Sequence, residues 1–209
     1  MPALERIEVS HPSRNRKVTA AFVAVALLVG GGYYYFVQVQ LPRFETVREG
    51  VLYRSGQPRG LGMHWIEARG IRTVVGLRRP DKKGTIEASR HAAENGMHYV
   101  NIPLGPSAGE IDEAAREFLD IVEDESNWPV LVHCGRGKER AGVMSAVYRI
   151  AHDGWTNEQA MQEGFELGMT EGRMPIAEAF ILSYRPQGSG EPLEGPNGDL
   201  PEVPWIEID

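Results

Sequence analysis

The sequence predicts an α/β domain, built on a parallel-rich central sheet flanked by helices and preceded by one transmembrane helix. Three observations predict it. Short β-rich runs recur between stretches of helical periodicity, the pattern of strands joined by helical crossovers. The run VTAAFVAVALLVGGGYYYFV over Val18–Val37 carries no charge. The 209 residues, 42% apolar and 24% charged, suffice for one globular domain with appendages. That composition excludes a disordered or collagen-like polymer. Cys134 is the only cysteine, which excludes an intramolecular disulfide framework and a cysteine-rich zinc module. Of the formal charge of -7, most sits at one end: six of the 29 acids lie in residues 188–209, where there is no Lys or Arg. A nearly neutral remainder leaves any anion preference to a local basic cluster, and no nucleic-acid partner is expected.

In chain order, residues 1–17 form a short N-terminal segment that ends on Arg14, Arg16 and Lys17. Residues 18–37 follow as the anchor, since 20 residues at about 1.5 Å each span the roughly 30 Å hydrocarbon core. A cleaved secretory signal is the alternative, but no A-x-A-like site follows the run. Tyr33, Tyr34 and Tyr35 instead stand where aromatic rings favour the membrane interface. The basic flank puts the N-terminus in the cytoplasm and the rest of this single-pass chain on the extracytoplasmic side. Residues 44–187 then read as one domain. Val51–Tyr53 is a strand entering the turn Arg54-Ser-Gly-Gln-Pro58, and Leu61, Trp65 and Ile66 recur at helical spacing. Ile71–Leu77 is a strand, Thr85–Glu94 a helix ended by Gly96, and Met97–Ile102 the next strand. Ser107 and Glu110 fit a capping box opening a helix whose buried face is Ile111, Ala114, Ala115, Phe118, Leu119 and Val122. Val130–His133 is a short, fully apolar strand, followed after Arg140 by a helix and then by two more near Asn157–Leu167 and Ile176–Tyr184. Residues 188–209 form an acidic Pro/Gly-rich tail.

The chemistry concentrates in PVLVHCGRGKERAG over Pro129–Gly142. A buried strand delivers the sole cysteine into a glycine-containing loop that opens onto a helix, so backbone N–H groups converge on an anion. The same N–H groups and the helix dipole stabilise a thiolate, which predicts a nucleophilic Cys134. Arg140 can fold back over the loop and present its planar fork to two phosphoryl oxygens. His133 tunes the thiolate, while Gly135, Arg136, Gly137, Lys138 and Glu139 line the bound anion. Lys138 would favour multiply phosphorylated ligands. Arg78, Arg79, Lys82 and Lys83 form a second basic cluster just after a strand, either a solvated loop or part of the binding edge. The six histidines show no metal-ligand spacing along the chain.

His133-Cys134 followed by Gly137, Arg140 and Gly142 resembles the signature of cysteine-dependent protein tyrosine and dual-specificity phosphatases. Val51-Leu-Tyr-Arg-Ser-Gly-Gln-Pro58, Ile71-Arg-Thr-Val-Val-Gly-Leu77 and Arg136-Gly-Lys-Glu-Arg140 are most similar to the atypical dual-specificity phosphatases of plants, fungi and bacteria. The similarity covers about Phe44 to Leu167. It implies the cysteine phosphatase fold and a phosphocysteine mechanism with no metal and no cofactor. The implied substrates are phosphotyrosine, phosphoserine or phosphothreonine proteins, or inositol phosphates and pyrophosphates. It also implies that Arg54 contacts substrate and that Asp112, with Glu110 in reserve, is the general acid. Two positions depart from the family. Ala141 stands where a Ser or Thr usually helps the thiolate leave, and the upstream loop that usually holds the acid reads Asn101-Ile-Pro-Leu104. The alternatives are therefore a catalytically weak phosphate-binding module at the membrane, or a sulfur-transfer or redox protein, which lacks a resolving cysteine.

Overall fold

A computed structural model describes residues 14–186. The N-terminal segment up to residue 13 and the acidic tail expected over 188–209 lie outside the described residues. The chain divides into one unit ending at Tyr35 and another beginning at Phe36.

The first unit is α1 (Arg14–Tyr35), a 22-residue helix. From Val18 onward its side chains are all exposed; Phe22 and Leu28, for example, are 72% and 76% accessible. With the residues that follow, it makes a 23-residue apolar stretch, Val18–Gln40, long enough by composition to cross a bilayer.

The second unit opens with a π-helical turn at Phe36–Gln40, then runs β1 (Glu45–Arg48), β2 (Leu52–Ser55), α2 (Gly60–Ala68), β3 (Thr73–Gly76), α3 (Lys83–Glu94) and β4 (His98–Asn101). It continues with α4 (Ala108–Glu123), a short 3-10 turn at Glu125–Asn127, β5 (Val130–His133), α5 (Glu139–His152), α6 (Asn157–Glu166) and α7 (Pro175–Ser183). The five strands lie in the order β1-β2-β5-β3-β4. Three of the four pairings are parallel, and β1–β2 is an antiparallel hairpin. The expected parallel-rich α/β sheet is thus present, with one strand beyond those read from the sequence. β1 has a single inward residue, Val47, and edge position relaxes the demand for apolar neighbours.

Side-chain alternation divides each strand between two cores. Leu52, Val75, Val130 and Val132 pack toward α4, α5, α6 and α7, together with Phe118, Val143 and Met144. Tyr53, Val74 and Leu131 pack toward α2 and α3, against Met63, Ile66, Ala88 and Ala92. α5 is buried nearly all round, from Ala141 to Tyr148, which explains why its sequence lacks a polar face. The Ser107 capping box is formed as predicted: Glu110 N–H donates to Ser107 Oγ, and Glu110 Oε2 accepts from Ser107 N–H.

The register positions the site. Ser55 and Gly76 both pair with His133, so β2, β5 and β3 end at one level and their following loops meet at the C-terminal sheet edge. In open α/β sheets that edge is where ligands bind.

Candidate active site

β5 is held on both sides to its last residue. Leu77 N–H donates to His133 O at 2.9 Å, and Cys134 N–H reaches Ser55 O at 3.4 Å. Beyond it the chain turns through Gly135, Arg136, Gly137 and Lys138 before α5 begins at Glu139. Gly137 takes φ +71°, and a Cβ there would collide with the backbone of Ser55 and Gly56. The loop is therefore seated backbone-to-backbone on the β2 turn, and Gln57 N–H donates to Gly135 O at 3.0 Å.

This seating aims the loop inward. Gly137 N–H donates to Cys134 Sγ at 3.2 Å, the hydrogen bond that stabilises a thiolate. Cys134 is buried, 4% exposed, in the same apolar cluster as Ala141. Arg140 is the second residue of α5 and half-buried, on the first turn of the helix whose positive end faces the loop.

Arg54 sits differently from the expectation that it contacts substrate. It is 1% exposed, and its Nη2 donates to Gly137 O at 2.8 Å and Lys138 O at 3.1 Å. The alternation that points Leu52 toward α5 carries Arg54 under the loop, where it clamps carbonyl oxygens and so turns the N–H groups toward the mouth. Burial lowers its pKa, and the neighbouring Cys134 charge opposes that shift. Its Nε and Nη1 find no partner among the described residues, so burying this cation is only partly compensated.

His133 is fully buried on the opposite face. Its Nδ1 lies 3.3 Å from Cys134 O and its Nε2 3.1 Å from the Tyr99 hydroxyl. Because a carbonyl only accepts, Nδ1 carries the proton and Nε2 accepts from Tyr99. Burial, only partly offset by the bond to Cys134 O, pushes His133 down to about 4, and burial pushes Tyr99 up to about 12. Both are neutral at pH 7 and act as a brace for the cysteine backbone.

The remaining expected residues divide into mouth and frame. Arg136 O accepts from Arg43 Nη1 at 3.3 Å. Lys138 and Arg43 both run beside Gly168, where a Cβ would meet Lys138 Cε at 3.7 Å and Arg43 Nε at 3.6 Å. Glu139, 9% exposed, pairs with Arg173 at 3.4 Å, which ties α5 to the turn before α7. Arg78, from the basic cluster after β3, lies over Gly135, its Nε 3.7 Å from the position of a Cβ there. It is fixed by Gln57 Oε1 at 3.5 Å and by Asn101 Nδ2, which donates to Arg78 O at 2.7 Å. Arg43 and Tyr99 are contributors that no sequence signal marked, because each acts through a contact between distant segments, whereas Gln57 lies in the Val51–Pro58 similarity, which assigned it no role.

Neither acid candidate is bonded to the loop among the described contacts. Asp112, 28% exposed, pairs with Arg116 one turn along α4 at 3.1 Å. Glu110 accepts from the Ser107 hydroxyl at 2.6 Å, and that bond holds its carboxyl below the usual carboxylate range. As a proton donor at neutral pH, Glu110 is therefore disfavoured.

The family described as "PTP-NADK: DSP-PTPase phosphatase fused to NAD+ Kinase" matches residues 34–179. The dual specificity protein phosphatase TpbA of Pseudomonas aeruginosa is 28% identical over 135 residues, 62% of this chain and 57% of TpbA. Inositol diphosphatase DSP4 of Arabidopsis thaliana is 28% identical over 130 residues, 57% of this chain and 60% of the relative. The chain spans about three fifths of the length of these two curated relatives. In fold it resembles the core catalytic domain of the PP-IP phosphatase SIW14 from S. cerevisiae, with a TM-score of 0.60 at 21% identity over 70% of this chain and 88% of that one. The chain belongs to the DSP-PTPase phosphatase family, among the atypical cysteine-dependent dual-specificity phosphatases.

Proposed function

We propose that this protein is a membrane-anchored phosphatase that hydrolyses phosphomonoesters through a phosphocysteine intermediate. The observation that carries the reading is the Gly137 N–H bond to Cys134 Sγ, in a loop whose Gly137 and Lys138 carbonyls accept from Arg54. The Cys134 thiolate attacks phosphorus, the S–P bond forms as the P–O bond to the leaving group breaks, and the leaving oxygen takes a proton from Asp112 or departs unaided. Arg140, Arg136, Lys138 and the loop N–H groups hold the transferring oxygens. Water then cleaves the S–P bond, releasing phosphate and restoring the thiolate.

Relatives named for protein and for inositol substrates support two substrate classes, phosphoproteins and inositol phosphates or pyrophosphates. Arg43, Arg78, Arg136 and Lys138 around one loop favour a substrate with more than one phosphate. A second reading, a phosphate-binding module with weak turnover, is favoured by Ala141 and by the pairing of Asp112 with Arg116. The composition of α1, its aromatic end and its basic flank support an anchor over residues 18–37, with the 44–187 phosphatase domain extracytoplasmic.

Steady-state assay of the purified chain on an aryl phosphate, phosphopeptides and inositol polyphosphates tests the function. Turnover that survives chelators is expected. Binding without turnover on every substrate would select the second reading, and activity that needs an added divalent ion would overturn the mechanism.

A further inference from the structure

Away from the loop, the surface between α2 and α3 brings together two imidazoles and a carboxylate that are distant in sequence. His64 and Glu67 lie one turn apart on α2, and His91 comes from α3. His64 Nδ1 is 3.5 Å and His91 Nε2 is 3.3 Å from the same oxygen, Glu67 Oε2. The three ligand atoms all lie within 4.8 Å of one another. The rings meet edge to face, with centroids 4.6 Å apart and planes at 77°.

The separations suit a shared ion. Ligands 2.0–2.1 Å from a tetrahedral ion stand about 3.3–3.4 Å apart, the edge of that tetrahedron. The His91 distance to Glu67, which also admits a direct hydrogen bond, falls on that edge, and the His64 distance lies just beyond it. Two imidazoles with one carboxylate suit zinc and its neighbours rather than magnesium or calcium, which take oxygen ligands. The linear spacing hides the set, because His91 reaches it only through the packing of Met63 and Ile66 of α2 and Ala88 and Ala92 of α3 into one core.

We infer that His64, Glu67 and His91 form a divalent-metal site of the zinc class, with three protein ligands and an outward position left for solvent. A bound ion would cross-link the two helices that cover this face of the sheet. The inference stands apart from the chemistry proposed at Cys134.

The test is calorimetric titration of the full chain with zinc, in a Cys134→Ser background so that the loop thiolate cannot serve as a ligand. One zinc per chain is expected, with a Kd of about 1 µM or tighter. His64→Ala and Glu67→Gln should each weaken binding at least about 10-fold, the least that even outer-shell changes produce. His64 is two-thirds exposed, so its replacement leaves the fold intact, which circular dichroism checks. Cobalt should give tetrahedral visible bands that both variants lose. No saturable binding, or a variant that binds zinc as tightly as its parent, would overturn the site.

Discussion

Acid should destabilise this protein through His133, by an amount the structure sets. The ring is buried with its pKa at about 4 against an ordinary 6.5, so the unfolded chain binds a proton that the folded chain refuses. A depressed folded-state value means the contribution is present above the unfolded pKa and is lost as pH falls from about 6.5 toward about 4. Between about pH 7.5 and pH 5 the linkage amounts to roughly 2 kcal/mol, and about 3 by pH 4. Against a typical total of about 5–15 kcal/mol, that is a large share. The assay is urea unfolding at both pH values, for the wild type and for His133→Gln, which cannot titrate. The wild type should lose about 2 kcal/mol more than the variant, since all other groups are common to both. Equal losses would mean that His133 takes up a proton in the folded state, and the brace from Tyr99 to Cys134 O would be wrong.

Three further outcomes are expected. Arg54→Met should lower kcat/KM on an aryl phosphate by about 10-fold or more while shifting stability by no more than about 1–2 kcal/mol, because the buried cation is half-unpartnered and acts by orienting Gly137 and Lys138; unchanged kinetics would remove its positioning role. Ala141→Ser should raise steady-state turnover, since a hydroxyl bonded to the departing thiolate contributes about 1.5–3 kcal/mol, or roughly 10- to 150-fold; stopped-flow traces of the wild type should then show a burst, and its absence with no gain in the variant would shift the slow step elsewhere. In a bacterial host, a C-terminal alkaline-phosphatase fusion should be active and a fluorescent-protein fusion dark, whereas the reverse pattern would put the domain in the cytoplasm.

The elements legible in the sequence were those with local physical signals. Val130–His133 is a fully buried strand and reads as a continuous apolar run; Ser107 and Glu110 announce α4 by a capping box; and Gly96 follows the end of α3. The loop from Cys134 to Arg140 was legible because one short segment holds its nucleophile, glycines and cations. β1 was not, because an edge strand with one inward residue has no periodicity to detect. Arg54 shows the other limit. Its motif marked it as functional, but only the pairing of β2 with β5 reveals that it lies beneath the loop. The cluster of His64, Glu67 and His91 is invisible in one dimension for the same reason.

In the proposed mechanism Cys134 carries the phosphoryl group. Rapid acid quench of the purified chain during turnover of an aryl phosphate, followed by peptide mass spectrometry, detects that intermediate. A phosphoryl adduct on the Cys134 peptide is expected, and it should accumulate in the wild type, where no hydroxyl at position 141 assists the departing thiolate. It should diminish in Ala141→Ser and be absent in Cys134→Ser, which should still bind oxyanions through the loop N–H groups. Full turnover by Cys134→Ser, or a phosphoryl adduct on any other residue in its place, would contradict the mechanism.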